Sequence, residues 1–466
     1  MPSKYVINTQ TVPHRFKPIT RSGIVAWEEG CLKCAVCVKK TCVYGVYDHR
    51  RMDPVQMVDT IDTDCMNCLR CVQGCPKELI HKTVNPEYLS LGDGYWTPDI
   101  ITKLWAQAQS GKIPVSGAGY PGPFTGPGFD AMWTDMSEIV RPTRDGIHGR
   151  EYISTAIDVG RTPKALVFDD TGMPKPDDAR FMDIPLPILF RMPTFGSMRR
   201  DTIRGWAEAA RVLGTLLALP EDRLASIPAD LYPWIMPMCS VDVDPKDMDM
   251  PQTVRLVEIP WHEKWAEQAD RIRSTHPDVI LSINVPITKG VEETVLSLVE
   301  NRVAVVHLSA SEDGVYCDDA SLYLKDGIRA VHLKLVEAGQ RDEMTLLISG
   351  GIAMAEHVPK AIICGGDGVM IDFPLLIALE CRMCRRCTKG LQCPVEIEKA
   401  TTPWVRSRVV NLMGAWHNQL LEVMGAMGIR DARRLRGEAG RAMFFETLNE
   451  EIFGAMGVVE EGCELE

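Results

Sequence analysis

The stretch Leu346–Asp372, "LLISGGIAMAEHVPKAIICGGDGVMID", decides the fold. An apolar run ends in a glycine pair, Gly350 and Gly351. A helical pattern follows, and a second apolar run, "DGVMID", comes after Gly365 and Gly366. Strand, tight turn, helix, strand is one unit of a parallel sheet whose strands are covered on both faces. Two readings of the glycine pair stand side by side. The loop can need positive φ for a tight turn, or it can expose amides at a helix N-terminus to a phosphate.

Working outward, the same alternation extends upstream through "LPILFRM", "TVRLVEI", "DVILSINV", "VAVVHLS" and "MTLLISG". Helical stretches such as "RRDTIRGWAEAARVL" and "KGVEETVLSLVENR" lie between them. Six clear strands, with weaker ones near Leu216 to Leu219 and around "AVHLKLV", predict an α/β fold: a closed (β/α)8 barrel over residues 185–400. An open doubly wound sheet is the alternative. Further upstream the chain predicts an extension over 1–24, a cysteine-rich module over 25–85 and a connector over 86–184. The connector carries one amphipathic helix from about Thr97 to Gln109 and a Gly/Pro-rich loop, "SGAGYPGPFTGPGFD". Residues 401–466 read as a helical segment whose Met443, Phe444, Phe445, Leu448 and Phe453 suit docking on the barrel or a partner helix.

Twelve of the 16 cysteines fall into three runs. Cys31, Cys34, Cys37 and Cys42 form C-x2-C-x2-C-x4-C. Cys65, Cys68, Cys71 and Cys75 form C-x2-C-x2-C-x3-C, with Pro76 after the last. A third run, Cys381, Cys384, Cys387 and Cys393, lies in "ECRMCRRCTKGLQCPVEI". Short spacings let successive turns aim three thiolates at one iron–sulfur cube, and a fourth cysteine followed by proline is directed to the neighbouring cluster. The expected sharing is therefore Cys31, Cys34, Cys37 and Cys75 on one 4Fe-4S cluster, and Cys65, Cys68, Cys71 and Cys42 on another. Zinc knuckles would need paired cysteines with four ligands per site, which triplets plus singles fit poorly. Cys239, Cys317, Cys364 and Cys463 are scattered and read as packing or surface residues.

The formal charge of -12 argues against nucleic acid or an anionic membrane as the main partner. No apolar run is long enough to span a bilayer, since the best one is interrupted by Asp367, Asp372 and Pro374. The N-terminus lacks the apolar run of a secretory signal, which leaves the cytoplasm as the expected compartment.

Taken together, "PILFRMPTFGSM", "LLISGGIAMAEHVPKAIICGGDGVMID" and the late cysteine run resemble the FMN-binding, iron–sulfur domain of glutamate synthase. With the two N-terminal runs and the opening "MPSKYVI", the chain looks like the compact, archaeal-type form of that family. The resemblance implies FMN at the barrel mouth, with Met192, Thr194 and Gly196 near its ring and Gly350, Gly351, Gly365 and Gly366 around its phosphate. It implies a third cluster, 4Fe-4S or 3Fe-4S, on Cys381, Cys384, Cys387 and Cys393. The pocket departs from the family pattern at "LPEDRL", "EIPWHE", Ile283–Val285 and "SASEDGV", and Asp372 stands where the family has glycine. His262 and His307 are candidates at strand ends of the mouth, Glu312 and Asp313 a candidate acid–base pair, and Arg385 and Arg386 candidates to tune a cluster's potential or receive an acidic partner; local hydrogen bonding and solvation are the plainer reading of each.

Two functions follow. One is an iron–sulfur oxidoreductase of glutamate synthase type that relays electrons from ferredoxin-type clusters to a barrel-mouth cluster, as a subunit among other redox subunits or fed by a low-potential donor. The other is an FMN-dependent glutamate synthase using 2-oxoglutarate, with ammonia from a separate glutaminase subunit.

Overall fold

The computed structural model describes residues 5–26, 30–48, 60–113, 127–134, 153–162, 168–173, 180–241 and 250–454. Cys463, most of the Gly/Pro-rich loop and the Phe453 side chain lie outside them. Near the N-terminus, β1 (Ser22–Ala26) pairs antiparallel with β2 (Ile80–Val84), Ser22 opposite Val84. Both early cysteine runs lie between these strands in the chain. Three short strands come next: β3 (Met132–Thr134), β4 (Ile157–Gly160) and β5 (Phe181–Ile184).

Eight strands then close into a parallel barrel: β6 (Ile188–Arg191), β7 (Leu217–Pro220), β8 (Ile235–Met238), β9 (Leu256–Pro260), β10 (Ile280–Pro286), β11 (Val305–Ser309), β12 (Thr345–Ser349) and β13 (Gly368–Ile371). The barrel reading holds and the open sheet does not, because β13 hydrogen-bonds back to β6. One strand assignment needs correction. "AVHLKLV" lies inside the Leu324–Glu337 helix, where Leu324, Ile328, Val331 and Leu335 are buried at helical spacing. The remaining strand is β8, whose flanking and internal prolines, Pro233 and Pro237, read as turn signals in the sequence.

The expected connector helix is Pro98–Ser110. Thr97 caps its start by accepting from the Ile100 N–H, proline occupies its first turn, and Gly111 closes it at φ 68°. The Thr402–Met427 helix packs against it and against the Arg200–Leu213 helix, burying Val405, Val409, Leu412, Trp416 and Leu420. β14 (Ala442–Phe444) pairs with β3, which ties the C-terminal arm to the connector.

Strand residues alternate between the lumen and the helix layer. At the N-terminal end the lumen is apolar: Leu189, Met236, Leu256, Val305, Leu347 and Met370 pack on Ile157, Val159, Met182 and Ile184. The β4–β5 hairpin, paired Ile157 to Ile184, is thus a floor across the barrel. Thr345 Oγ1 fastens it by donating to backbone oxygens of Asp158 or Gly160, at 3.0 and 2.9 Å. The other end, where the strands' C-termini open, carries the polar residues. Among the described residues, no helix is long and apolar enough to cross a membrane.

Candidate functional site

Near the open end the lumen holds one buried polar chain. His307 is fully buried and its Nδ1 lies 2.8 Å from Glu258 Oε2, while its Nε2 lies 2.7 Å from Ser349 Oγ. The Asn284 amide contacts the same Nδ1 at 2.8 Å, and the Ser309 hydroxyl donates to Asn284 Oδ1 at 3.0 Å. Burial pushes the Glu258 carboxyl up, but His307, Arg191 and the Asn284 amide together hold the carboxyl below the usual range. His307 is mid-strand and not at a strand end. His262 lies in the turn after β9, satisfied locally by Gln268 at 3.0 Å and the Lys264 N–H at 3.2 Å. Sequence reading did not assemble this network. Its signal was a polar residue at alternate positions in otherwise apolar strands, which strand alternation sends into the lumen.

The residues expected around FMN divide between the two ends of the barrel. Met192, Thr194 and Gly196 follow β6 at the mouth, and Gly350 and Gly351 follow β12 there. Gly365 and Gly366 end the turn after the His357–Ile363 helix and precede β13, so they lie at the floor end. There the Gly365 carbonyl accepts from Arg341 at 2.6 Å. They do not share a cradle with Gly350 and Gly351; the residue after β13 at the mouth is Asp372.

A Cβ on Gly350 would lie 2.6 Å from Ser311 O, and one on Gly351 would lie 2.5 Å from Gly314 Cα. The glycines are therefore explained by close backbone packing of the loop after β11. Tyr95 donates its hydroxyl to the Gly351 carbonyl. Trp96 Nε1 donates to Glu312 O, and Thr194 donates to Glu312 Oε1 at 3.0 Å. Arg385 pairs with Glu312 Oε2 at 2.7 Å and with Asp93 at 3.6 Å, and stacks over Phe195. Asp372 accepts from the Phe373 N–H at 2.6 Å, capping the Phe373–Ala378 helix with its own carboxylate. Burial pushes that carboxyl up, opposed by the Phe373 amide and Arg191. Three carboxylates, Glu312, Asp313 and Asp372, in a corner whose nearest amide is already used, do not fit a phosphate.

The cysteine runs share one backbone pattern. In each, the residues two and four after the first cysteine have positive φ: Lys33 and Ala35, Asn67 and Leu69, Met383 and Arg385. The residue three after each fourth cysteine does as well: Gly45, Glu78 and Glu396. Non-glycine residues rarely adopt this conformation. Of the ten that do among the described residues, eight are these, so the pattern belongs to the cysteine runs. It also survives the replacement of the usual proline by Val43 after Cys42. In the first and third runs, the N–H two residues on, of Lys33 and Met383, points at the sulfur of Cys31 and Cys381 at 3.5 and 3.4 Å.

Cys42, Cys65, Cys68 and Cys71, the expected ligand set of one cluster, line a single cavity with Ile24, Val46, Met66 and Leu69. In the late run, burial pushes the Cys381 thiol up to about 12, with smaller contributions from the Cys393, Cys384 and Cys387 sulfurs that face it. Among the described residues no three His, Cys, Asp or Glu side chains converge on one point as a single ion requires. An iron–sulfur cube asks for something different, a ring of separated thiolates.

The late loop is joined to the chain leaving the N-terminal module. Arg382 Nη1 pairs with Glu87 at 2.8 Å and its carbonyl accepts from the Gly92 N–H at 3.1 Å. His14 Nδ1 contacts Glu380 Oε1 at 2.7 Å, one residue before Cys381, and His14 lines the same cavity as Cys65.

A family profile described as a conserved region in glutamate synthase matches residues 259–430. Across most of its length the chain is similar to proteins named archaeal-type glutamate synthase (NADPH). The one from Dehalococcoides mccartyi is 24% identical over 88% of this chain and 92% of its own. That from Thermotoga maritima is 26% identical over 87% and 91%. The archaeal glutamate synthase (NADPH) of Archaeoglobus fulgidus is 23% identical over 93% and 96%. Among solved structures, a mandelate oxidase aligns over 66% of this chain and 97% of its own at 13% identity and a TM-score of 0.37. A flavocytochrome b2 with pyruvate bound covers 72% and 87% at 13% and 0.38.

Proposed function

We propose, for a chain that is a divergent relative of the archaeal-type glutamate synthases, an iron–sulfur oxidoreductase that relays electrons from its N-terminal clusters to one at the barrel mouth. It acts as a subunit of a larger cytoplasmic redox complex, beside other redox subunits or a low-potential donor. Iron–sulfur clusters, when bound, supply one-electron transfer. The chain's own residues do the rest. Cys31, Cys34, Cys37 and Cys75 hold one cluster; Cys42, Cys65, Cys68 and Cys71 hold the second; Cys381, Cys384, Cys387 and Cys393 hold the third. The backbone pattern common to all three runs favours 4Fe-4S over 3Fe-4S for the last. Lys82 Nζ, 3.1 Å from Cys65 Sγ, adds a cationic donor to one thiolate and stabilises the reduced state there.

The observation that supports this reading is the contact of the late loop with the segments on either side of the N-terminal module, His14 with Glu380 before it and Glu87 with Arg382 after it. A relay needs the third site near the first two, and contacts of the late loop with both flanks of the module support that arrangement. The test is an iron, sulfide and zinc count on oxygen-free protein with paramagnetic resonance during stepwise reduction. Three centres are expected; zinc alone, or only two centres, ends the proposal.

The relatives' names favour a second reading, a glutamate synthase that uses 2-oxoglutarate with ammonia from a separate glutaminase subunit. Assay of 2-oxoglutarate and ammonia with a reduced low-potential donor decides it, and absence of turnover in flavin-supplemented protein removes it.

A further inference from the structure

We infer that this barrel has closed its phosphate corner from within and does not hold FMN. The inference deepens the relay reading and rests on the barrel's relation to glutamate synthase. In barrels of this class a phosphate is seated at the mouth by the loops after the last two strands and an adjoining helix N-terminus. Here those loops are Gly350–Gly351 after β12 and Asp372 after β13.

Each element that would grip the phosphate is engaged by the chain. The two glycines that would let a ligand approach the backbone are approached by residues 310–314 instead, at 2.5 to 2.7 Å from where a Cβ would stand. The first amide of the helix after β13 donates to the Asp372 carboxylate. Strand alternation from Gly368 and Met370 directs Asp372 to the lumen side, where a phosphate would meet a partly buried carboxyl. The invading loop is fixed at four points: Thr194 and Arg385 hold the Glu312 carboxylate, Trp96 holds its carbonyl, and Leu324 N–H bonds to Gly314 O at 2.9 Å. Glu312 takes Arg385, an arginine that could have faced a phosphate, while Asp313 brings another acidic group. The carboxylate of Asp372, with that of Glu312, stands in for the anion the fold otherwise recruits from outside.

The test uses the full chain purified without oxygen. Acid-released flavin is measured, FMN is titrated in with its fluorescence followed, and riboflavin, which lacks the phosphate, is titrated in parallel. The expected result is released FMN far below one per chain and no saturable quenching by FMN. Release of one FMN per chain, or saturable FMN quenching stronger than that of riboflavin, overturns the inference. Asp372→Gly and Glu312→Gln are compared, with far-UV circular dichroism as the check on folding. A gain in FMN affinity of about tenfold or more in either folded variant assigns the exclusion to these carboxylates. Unchanged FMN affinity in both refutes their part. A flavin-bearing protein with three iron–sulfur centres would sink this inference alone; a flavin-free protein lacking those centres would sink the relay alone.

Discussion

The Glu312 carboxylate and the Arg385 guanidinium meet at 2.7 Å, joining the loop after β11 to the loop between Cys384 and Cys387. The pair couples the closed corner of the barrel to the third cysteine run. Both side chains are a little over one-third exposed, so solvent screens the pair. Glu312→Ala should cost only about 0.2–1 kcal/mol of global stability. Its local effect should be larger, with faster amide exchange across residues 311–315 measured by mass spectrometry. Unchanged exchange would show that the loop is held by Trp96, Leu324 and the packing on Gly351 without the Glu312 carboxylate.

Gly351 is the tighter point of the same contact. At φ 63° and with Gly314 backbone where a Cβ would go, Gly351→Ala cannot be absorbed by a side-chain rotation. A loss on the order of 1–3 kcal/mol is expected from denaturant midpoints. A neutral substitution would mean that the 311–314 loop lifts away freely.

The third cysteine run is part of the barrel core, since Cys381 and Met383 belong to the main apolar cluster. Cys381→Ser should remove one paramagnetic centre, leave two, and lower stability by about 1–3 kcal/mol through a buried hydroxyl. Cys34→Ser, at an exposed position, should remove a centre with little effect on barrel unfolding. Equal destabilisation by the two variants would contradict this division.

Glu258 sets an acid limb. Its folded pKa is depressed, so the stabilisation from His307 is present above the unfolded carboxylate pKa, about 4.3, and is lost as pH falls through the folded value. Glu258→Gln should flatten stability below about pH 4.3 and cost about 1–3 kcal/mol at neutral pH. Thermal unfolding across pH measures both, and an unchanged acid limb would clear Glu258 of the role.

His417 acts over a higher window. Burial pushes its pKa down to about 4, so the native state keeps the ring neutral while the unfolded chain binds a proton. Its penalty is absent above about pH 6.5 and grows as pH falls toward 4. His417→Phe, which keeps the ring against Tyr5, should recover on the order of 1–3 kcal/mol near pH 4 and nothing near pH 8. His332, also pushed down to about 4 by burial and Arg341, supplies a remaining slope of the same sign.

The barrel was legible because its strands are short, apolar and spaced by amphipathic helices, and seven of the eight carried that signature. β8 escaped because proline masks a strand locally, and "AVHLKLV" misled because Val331 and Leu335 satisfy a helix stripe as readily as a strand. The cysteine spacings announced their runs, but the backbone they share depends on φ at Lys33, Asn67 and Met383, which no residue type there signals. The placement of Gly365 and Gly366 failed for a topological reason: a glycine before a strand and one after it lie at opposite ends of a barrel. The His307, Glu258 and Ser349 chain needed strand register, since each residue alone is a single polar letter in an apolar word.

The hairpin beneath the lumen has a plain consequence for traffic. A barrel stoppered at its base by Ile157, Val159, Met182 and Ile184 offers no passage through that end to the buried His307 chain.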